Sequence, residues 1–361
     1  MIDKLLSDNI EILKGIAILG VLLIHSTAPY FSYLDINSLN YLLISLLNQI
    51  SRFSIPMFVF LSGFLLLRKY KFSRLSEYKS FLIHKFIIIG VPYIYWSILY
   101  YLFFSIYNLY FSFSDMLVKL LTGTSIYTYY FFILIFQFYI ISYFFMIALK
   151  KYKKWFVCIN LIANSFVIYM FYFILFNFNV NIHPLFVFIF LSWNLFFVLG
   201  IYIADDYKRL FIKIKNHRGS IMLLTLSLLV LSLYEFYFIN TQYLNINMAA
   251  SNFKISSFSF AFFAILFCFA YVNNIPGFLR KSLIILGNSS FAIFILHEPF
   301  LTNLINLIHV TMPYLINYQI LLQPILVAVS IIYSLSIFYV VKRLIPREYF
   351  KFIFHYYSRD K

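Results

Sequence analysis

The sequence predicts an all-α, polytopic membrane bundle of about ten transmembrane helices with both termini cytoplasmic. Three observations carry this prediction. Of the 361 residues, 63% are hydrophobic and only 11% are charged, against about a quarter charged in an ordinary soluble domain. The apolar residues fall into runs long enough to cross a bilayer, and the cations crowd onto alternate connections between those runs. A water-soluble globule of this composition would expose apolar patches incompatible with solubility. That excludes a soluble enzyme, a disordered chain, a collagen-like fibre and a secreted disulfide scaffold. Cys158 and Cys268 both lie inside apolar stretches and say little about redox compartment.

A bilayer core takes roughly 20 apolar residues per helix, because each residue rises about 1.5 Å and unpaired backbone groups are costly in lipid. That ruler gives spans at about 10–30, 50–67, 86–108, 129–149, 155–175, 186–204, 220–239, 256–273, 283–301 and 319–341. The first run is too long for a removable signal peptide, and no small-residue cleavage site follows it. Gly and Pro are scarce and no repeat is evident, so residues 1–361 read as one integral domain. Pro92 is expected to kink the third span and free a carbonyl.

Orientation follows from the positive charges. One set of connections holds Arg68, Lys69, Lys71, Arg74, Lys79 and Lys85, the lysine cluster 150–154, the basic run 208–218, Arg280, Lys281 and the C-terminal cations. With Lys4 and Lys14, this side collects 25 of the 28 cations. Only Lys119, Lys254 and Arg52, at the outer start of span two, fall on the other. An even number of spans with both ends on the basic side fits the split. The net charge of +16 therefore reads as a topology signal and an anchor to anionic membrane lipid rather than a nucleic-acid interface.

Ionisable groups inside spans are costly and are functional candidates by default. In the first span Lys14 and His25 are eleven positions apart, three turns plus roughly 20°, so they share a face about 16 Å long. Glu11 precedes Lys14 by three and can pair with it. Lys14 and Glu11 are equally readable as interfacial snorkelling groups. His25 is not, because a short imidazole cannot reach water from that depth. His297 lies at a similar depth in the ninth span, with Ser290 seven residues before it on the same face and Glu298 beside it, able to hold one imidazole state. The competing reading makes His297 an outer-boundary cap before Pro299. Arg68, Lys69, His84 and Lys85 form a cationic rim, suited either to lipid headgroups or to the phosphates of an anionic cofactor. Tyr93 is the one tyrosine given a candidate binding role. Gln137, Asn160, Asn164, Trp193 and Asn194 read as interhelical hydrogen-bonding residues. No phosphate loop, nucleophile elbow or metal signature is present, and no metal is expected.

Three segments resemble the bacterial acyltransferase family 3 of membrane O-acyltransferases. They are Glu11-Ile-Leu-Lys14 through His25, Arg52-Phe-Ser-Ile-Pro56 through Ser62-Gly63-Phe64, and Ser290 through His297-Glu298-Pro299. The first is similar to the family's opening motif, a basic residue, ten positions, then histidine. The last is similar to its late tyrosine-leucine-x-histidine-proline stretch. The likeness runs in order over most of the chain. Lys14 stands where the family usually has Arg, which keeps the charge but loses the planar fork. Glu298 separates His297 from Pro299, and Phe294 replaces the usual tyrosine.

The resemblance implies an enzyme of the bacterial cell membrane that moves an acyl group, often acetyl, from cytoplasmic acyl-CoA to a hydroxyl of an extracytoplasmic glycan or lipid-linked saccharide. His25 would then be general base or covalent acyl relay. Lys14 with Glu11, and Arg52, would position donor and acceptor, while His297 and Glu298 orient or share the proton. Many family members carry an added esterase-like domain. This chain is expected to act alone or with a separate partner such as a polysaccharide-synthesis protein. A different class stays open: a glycan or lipid-linked saccharide exporter using the buried histidines as a proton relay. A scaffold in a synthase assembly is a third reading, under which Lys14, His25 and His297 could be changed silently.

Overall fold

The computed structural model describes residues 4–70, 72, 74–179 and 189–354, and no strand occurs among them. Among the described residues, eight helical stretches are long and apolar enough to cross a membrane. Their outward faces carry exposed large apolar side chains such as Phe103, Phe144, Ile162, Leu223, Val230 and Ile332, the surface expected of helices solvated by lipid. The chain is a polytopic helical bundle.

Helix α1 (Lys4–Thr27) is the central pillar. Ile12, Leu13, Ala17, Ile18 and Leu22 are fully buried, so the helix is enclosed by protein over most of its length. It continues through a 3₁₀ turn at Ala28–Ser32. The second stretch differs from its expected span. It begins at α2 (Leu39–Ile50), passes through a 3₁₀ turn at Ser51–Phe53 and ends with α3 (Ser54–Lys69). The polar residues Ser45, Asn48 and Gln49 hide α2 from a hydropathy reading, yet all are buried and hydrogen-bonded within the bundle. Arg52 therefore lies inside a helical stretch, at its internal turn, and not at an outer end.

The third stretch joins α4 (Leu75–Lys85) to α5 (Val91–Tyr107) through a π-helical turn at Phe86–Gly90. The turn shifts the hydrogen-bond register just before Pro92, and so accommodates the missing N–H. A short helix, α6 (Phe113–Thr122), follows. Helix α7 (Tyr130–Phe178) contains both the fourth and fifth expected spans. At about 1.5 Å per residue its 49 residues would extend far beyond a bilayer roughly 30 Å thick. The helix breaks at Tyr152 (φ −130°, ψ 40°), among the lysines read as a loop, so two arms meet at a bend.

Helix α8 (Asn194–Asp205) is the described part of the span expected at 186–204, whose first three residues lie outside the described residues. At about 18 Å it is short, and nearly all of it is buried. Polar side chains bolt it to the second arm of α7. Asn194 donates to Asn160 (2.7 Å), Asn164 donates to Asn194, and the Leu195 amide donates to Asn164 (3.2 Å). Gln137 accepts from the Phe190 amide (3.1 Å). Helices α9 (Tyr207–Asn216), α10 (Arg218–Tyr243) and α11 (Ile255–Tyr271) follow.

The ninth expected span is two helices. α12 (Gly277–Asn288) and α13 (Ser290–Thr311) meet at Ser289, whose φ of −100° and ψ of 4° leave the helical region. Gly287-Asn288-Ser289 is a run of poor helix formers, and the chain turns there. α14 (Gln319–Leu344) completes the bundle.

Two pairs of glycines set the closest helix contacts. A Cβ on Gly15 would meet the Leu283 carbonyl oxygen at 2.2 Å, and one on Gly287 would meet the Glu11 carbonyl oxygen at 1.9 Å. α1 and α12 thus touch backbone to backbone from both sides. Gly63 against Phe197 (2.2 Å) and Gly200 against Phe60 (2.1 Å) do the same for α3 and α8. Small residues at such crossings bring helices together where lipid supplies no hydrophobic drive.

Candidate active site

Two cavities lie along α1. The first, about 190 Å³, is lined by Lys14, Lys69, Lys85, Ser62, Ser290 and a group of aromatic side chains. The second, about 50 Å³, is lined by His25, Arg52, Tyr127, Thr128, Tyr130, Trp193 and Asn252, among others. The eleven-residue spacing of Lys14 and His25 places each in a different cavity on one helix.

Lys14 donates to Glu11 Oε1 at 3.1 Å, the expected (i, i+3) pair. Lys85 Nζ lies over the rings of Tyr139 (5.0 Å), Phe81 (5.8 Å) and Tyr70 (5.9 Å), a cation–π setting. Lys14, Lys69 and Lys85 thus surround one aromatic-walled space. The other two members of the expected cationic rim, Arg68 and His84, are exposed and line neither cavity. Both follow from helix geometry. Each is one residue from a lining lysine, about 100° around the axis.

At the second cavity the His25 ring stands 5.3 Å from that of His297 and 6.0 Å from that of Tyr127. His297 is fully buried. Its Nδ1 lies 3.0 Å from the carbonyl oxygens of both Ile293 and Phe294. Carbonyls only accept, so Nδ1 carries the hydrogen, and in the neutral ring Nε2 presents a lone pair. Nε2 is buried without a hydrogen-bond partner. Among the described residues none hydrogen-bonds the His25 ring, which is partly open to the cavity.

The structure separates Glu298 from the role of orienting His297. Adjacent residues on a helix diverge by about 100°, and the Glu298 carboxylate instead accepts from Thr302 Oγ1 at 3.3 Å. The His297 ring is held by backbone carbonyls. Tyr93 also lies apart from both cavities. It is buried and donates its hydroxyl to the Leu120 carbonyl, tying α5 to α6.

Arg52 is 8% exposed, and no carboxylate lies within 4.0 Å of it among the described residues. Its Nε donates to Asn48 Oδ1 at 3.0 Å, and a second nitrogen donates to the same oxygen. Asn48 also donates to Thr27 Oγ1 (3.0 Å), which fixes the guanidinium beside the last turn of α1, where His25 sits. Asn252 donates to the Arg52 carbonyl (3.2 Å). Across the cavity, Tyr129 donates to the Ile295 carbonyl (3.1 Å) and pins the turn carrying Tyr127 and Thr128 against α13. Thr128 Oγ1 and Asn252 Oδ1 are buried without partners. A buried cation and two orphaned polar atoms give this cavity a lining whose chemistry suits a polar ligand.

Asn48, Tyr127, Thr128, Tyr130 and Asn252 were not singled out by the sequence. In a chain that is 23% aromatic two more tyrosines carry no signal. Asn48 was detectable in hindsight, four residues before Arg52 on one helical face.

The family model described as an acyltransferase domain matches residues 7–343. The chain belongs to acyltransferase family 3. The match takes in α1 through nearly all of α14, and with it both cavities, so this member of the family is a multi-pass membrane acyltransferase. No curated protein and no solved structure matches the chain.

Proposed function

We propose that this acyltransferase moves an acyl group, acetyl in the simplest case, from cytoplasmic acyl-CoA to a hydroxyl of an extracytoplasmic glycan or lipid-linked saccharide. The observation that carries the reading is the succession along α1 and α13. A cavity lined by three lysines is followed by the neighbouring rings of His25 and His297, and His25 in turn lines a cavity with a buried Arg52 and orphaned Thr128 and Asn252 atoms.

The lysine cavity suits an anionic donor with an apolar end. Lys14, Lys69 and Lys85 would hold phosphate oxygens, and the aromatic walls would take the thioester. In the histidine cavity, Arg52, Thr128 and Asn252 would bind a polyhydroxylated acceptor. An imidazole accepts the proton as the acceptor oxygen attacks the thioester carbonyl carbon. The carbon–oxygen bond forms, the carbon–sulfur bond breaks, and the proton passes to the departing sulfur. The products are an ester and the free thiol of CoA. His25 faces the cavity and would act as the base. His297, with Nδ1 committed to carbonyls, keeps Nε2 available to take the proton on.

The test is direct. Purified protein titrated calorimetrically with acetyl-CoA should bind it, and surface glycans from cells with and without the gene should differ by one acyl mass. Absence of both would remove the reading and favour export.

A further inference from the structure

Phe294 borders both cavities. It is 6% exposed, with its ring 5.3 Å from Phe131, 5.5 Å from Phe132 and 5.9 Å from His297. Phe131 and Phe132 line the lysine cavity. On α13, Ser290, Phe294 and His297 fall at i, i+4 and i+7, one stripe of a helix. That stripe runs from the lysine cavity, across the shared ring, to the imidazole pair. No other residue is common to the two linings. The ring of Phe294 therefore forms part of the wall between the two cavities.

We propose that Phe294 is the residue that sets acyl-chain length. The inference rests on the acyl-transfer reading and adds to it a determinant of substrate choice. An acyl group held in the lysine cavity must reach past this ring for its carbonyl carbon to meet an acceptor hydroxyl beside His25. The bonds made and broken are those given above: carbon–oxygen for carbon–sulfur, with the hydroxyl proton moving through imidazole to sulfur. A short acyl group passes along the ring edge. Each added methylene must occupy volume already filled by Phe294, Phe131 and Phe132. In a close-packed interior such overpacking is resisted, and one methylene in an apolar enzyme pocket discriminates by about 10–200-fold.

The test uses the full-length protein in its membrane and in detergent, as wild type and as Phe294→Ala, Phe294→Leu and Phe294→Trp. Calorimetry with acetyl-CoA and with butyryl-CoA reads the affinity ratio without requiring turnover. Membranes given equal amounts of both thioesters, followed by mass spectrometry of released glycans, read the transfer ratio. Wild type should favour acetyl, and Phe294→Ala should lower both ratios by about tenfold or more. Phe294→Leu, a milder change that guards against misfolding, should move them the same way. Phe294→Trp should suppress transfer of even the acetyl group. Variants that bind acetyl-CoA and keep the wild-type ratios would overturn the proposal and leave the acyl-transfer reading intact. A wild-type protein that binds neither thioester would remove both.

Discussion

His25 on α1 and His297 on α13 face each other with ring centroids 5.3 Å apart, and only His297 is anchored by hydrogen bonds. Its Nδ1 is tied to the Ile293 and Phe294 carbonyls, whereas His25 presents its ring to a cavity. The two imidazoles are therefore inequivalent, one fixed and one facing a cavity.

His25→Ala should lower acyl transfer by at least about 100-fold, the usual worth of a positioned base, while the protein remains inserted and still binds acetyl-CoA. Retention of normal glycan acylation by an inserted His25→Ala protein would sink the mechanism.

His297→Asn and His297→Ala should separate anchoring from proton handling. Asn retains a donor for the two carbonyls and Ala does not. Neither retains the Nε2 lone pair. Both should lose kcat by about 10-fold or more with little change in KM, and only Ala should also lower the melting temperature.

Arg52→Gln should reduce glycan acylation by about tenfold or more with the acetyl-CoA Kd unchanged, because Arg52 lines the histidine cavity and not the lysine cavity. A charge-assisted contact of about 1.5–3 kcal/mol is at stake. A parallel loss of donor affinity would place Arg52 on the wrong substrate.

Neutralising Lys14, Lys69 or Lys85 to Ala should each weaken acetyl-CoA binding by about tenfold or more, with a flatter dependence on salt. Lys14→Arg should retain binding, since it keeps the charge and adds a planar fork. Calorimetry at two ionic strengths checks both points.

Gly287→Ala should destabilise the protein by about 1–3 kcal/mol, since its Cβ would meet the Glu11 carbonyl oxygen at 1.9 Å. Gly219→Ala, with nothing within 4 Å of the added carbon, is the matched control. Thermal melts in detergent should show a drop for the first alone.

What could be read from the sequence was what depends on local periodicity. The shared face of Lys14 and His25, the Glu11 pair and the stripe from Ser290 to His297 follow from 3.6 residues per turn. So does the interhelical role of Asn160, Asn164 and Asn194. What could not be read depended on how distant segments meet. Arg52 looked like an outer boundary residue because the polar side chains of α2 masked a buried helix before it. The break at Ser289 was hidden because its flanks are equally apolar. Glu298 sat beside His297 in sequence and a third of a turn away in space. Tyr127 and Thr128 owe their place to a turn pinned by Tyr129 on a helix far along the chain.

The reciprocal glycine contacts bear on which helices can move apart. Gly15 and Gly287 clasp α1 to α12, and Gly63 and Gly200 clasp α3 to α8, with main chains at the limit of approach. Sliding or parting of α1 against α12, or of α3 against α8, would have to break these contacts, so each pair is held as one unit. The proposed acyl transfer requires neither pair to open, so a chemical step at the two cavities can proceed in a body whose main chains stay put.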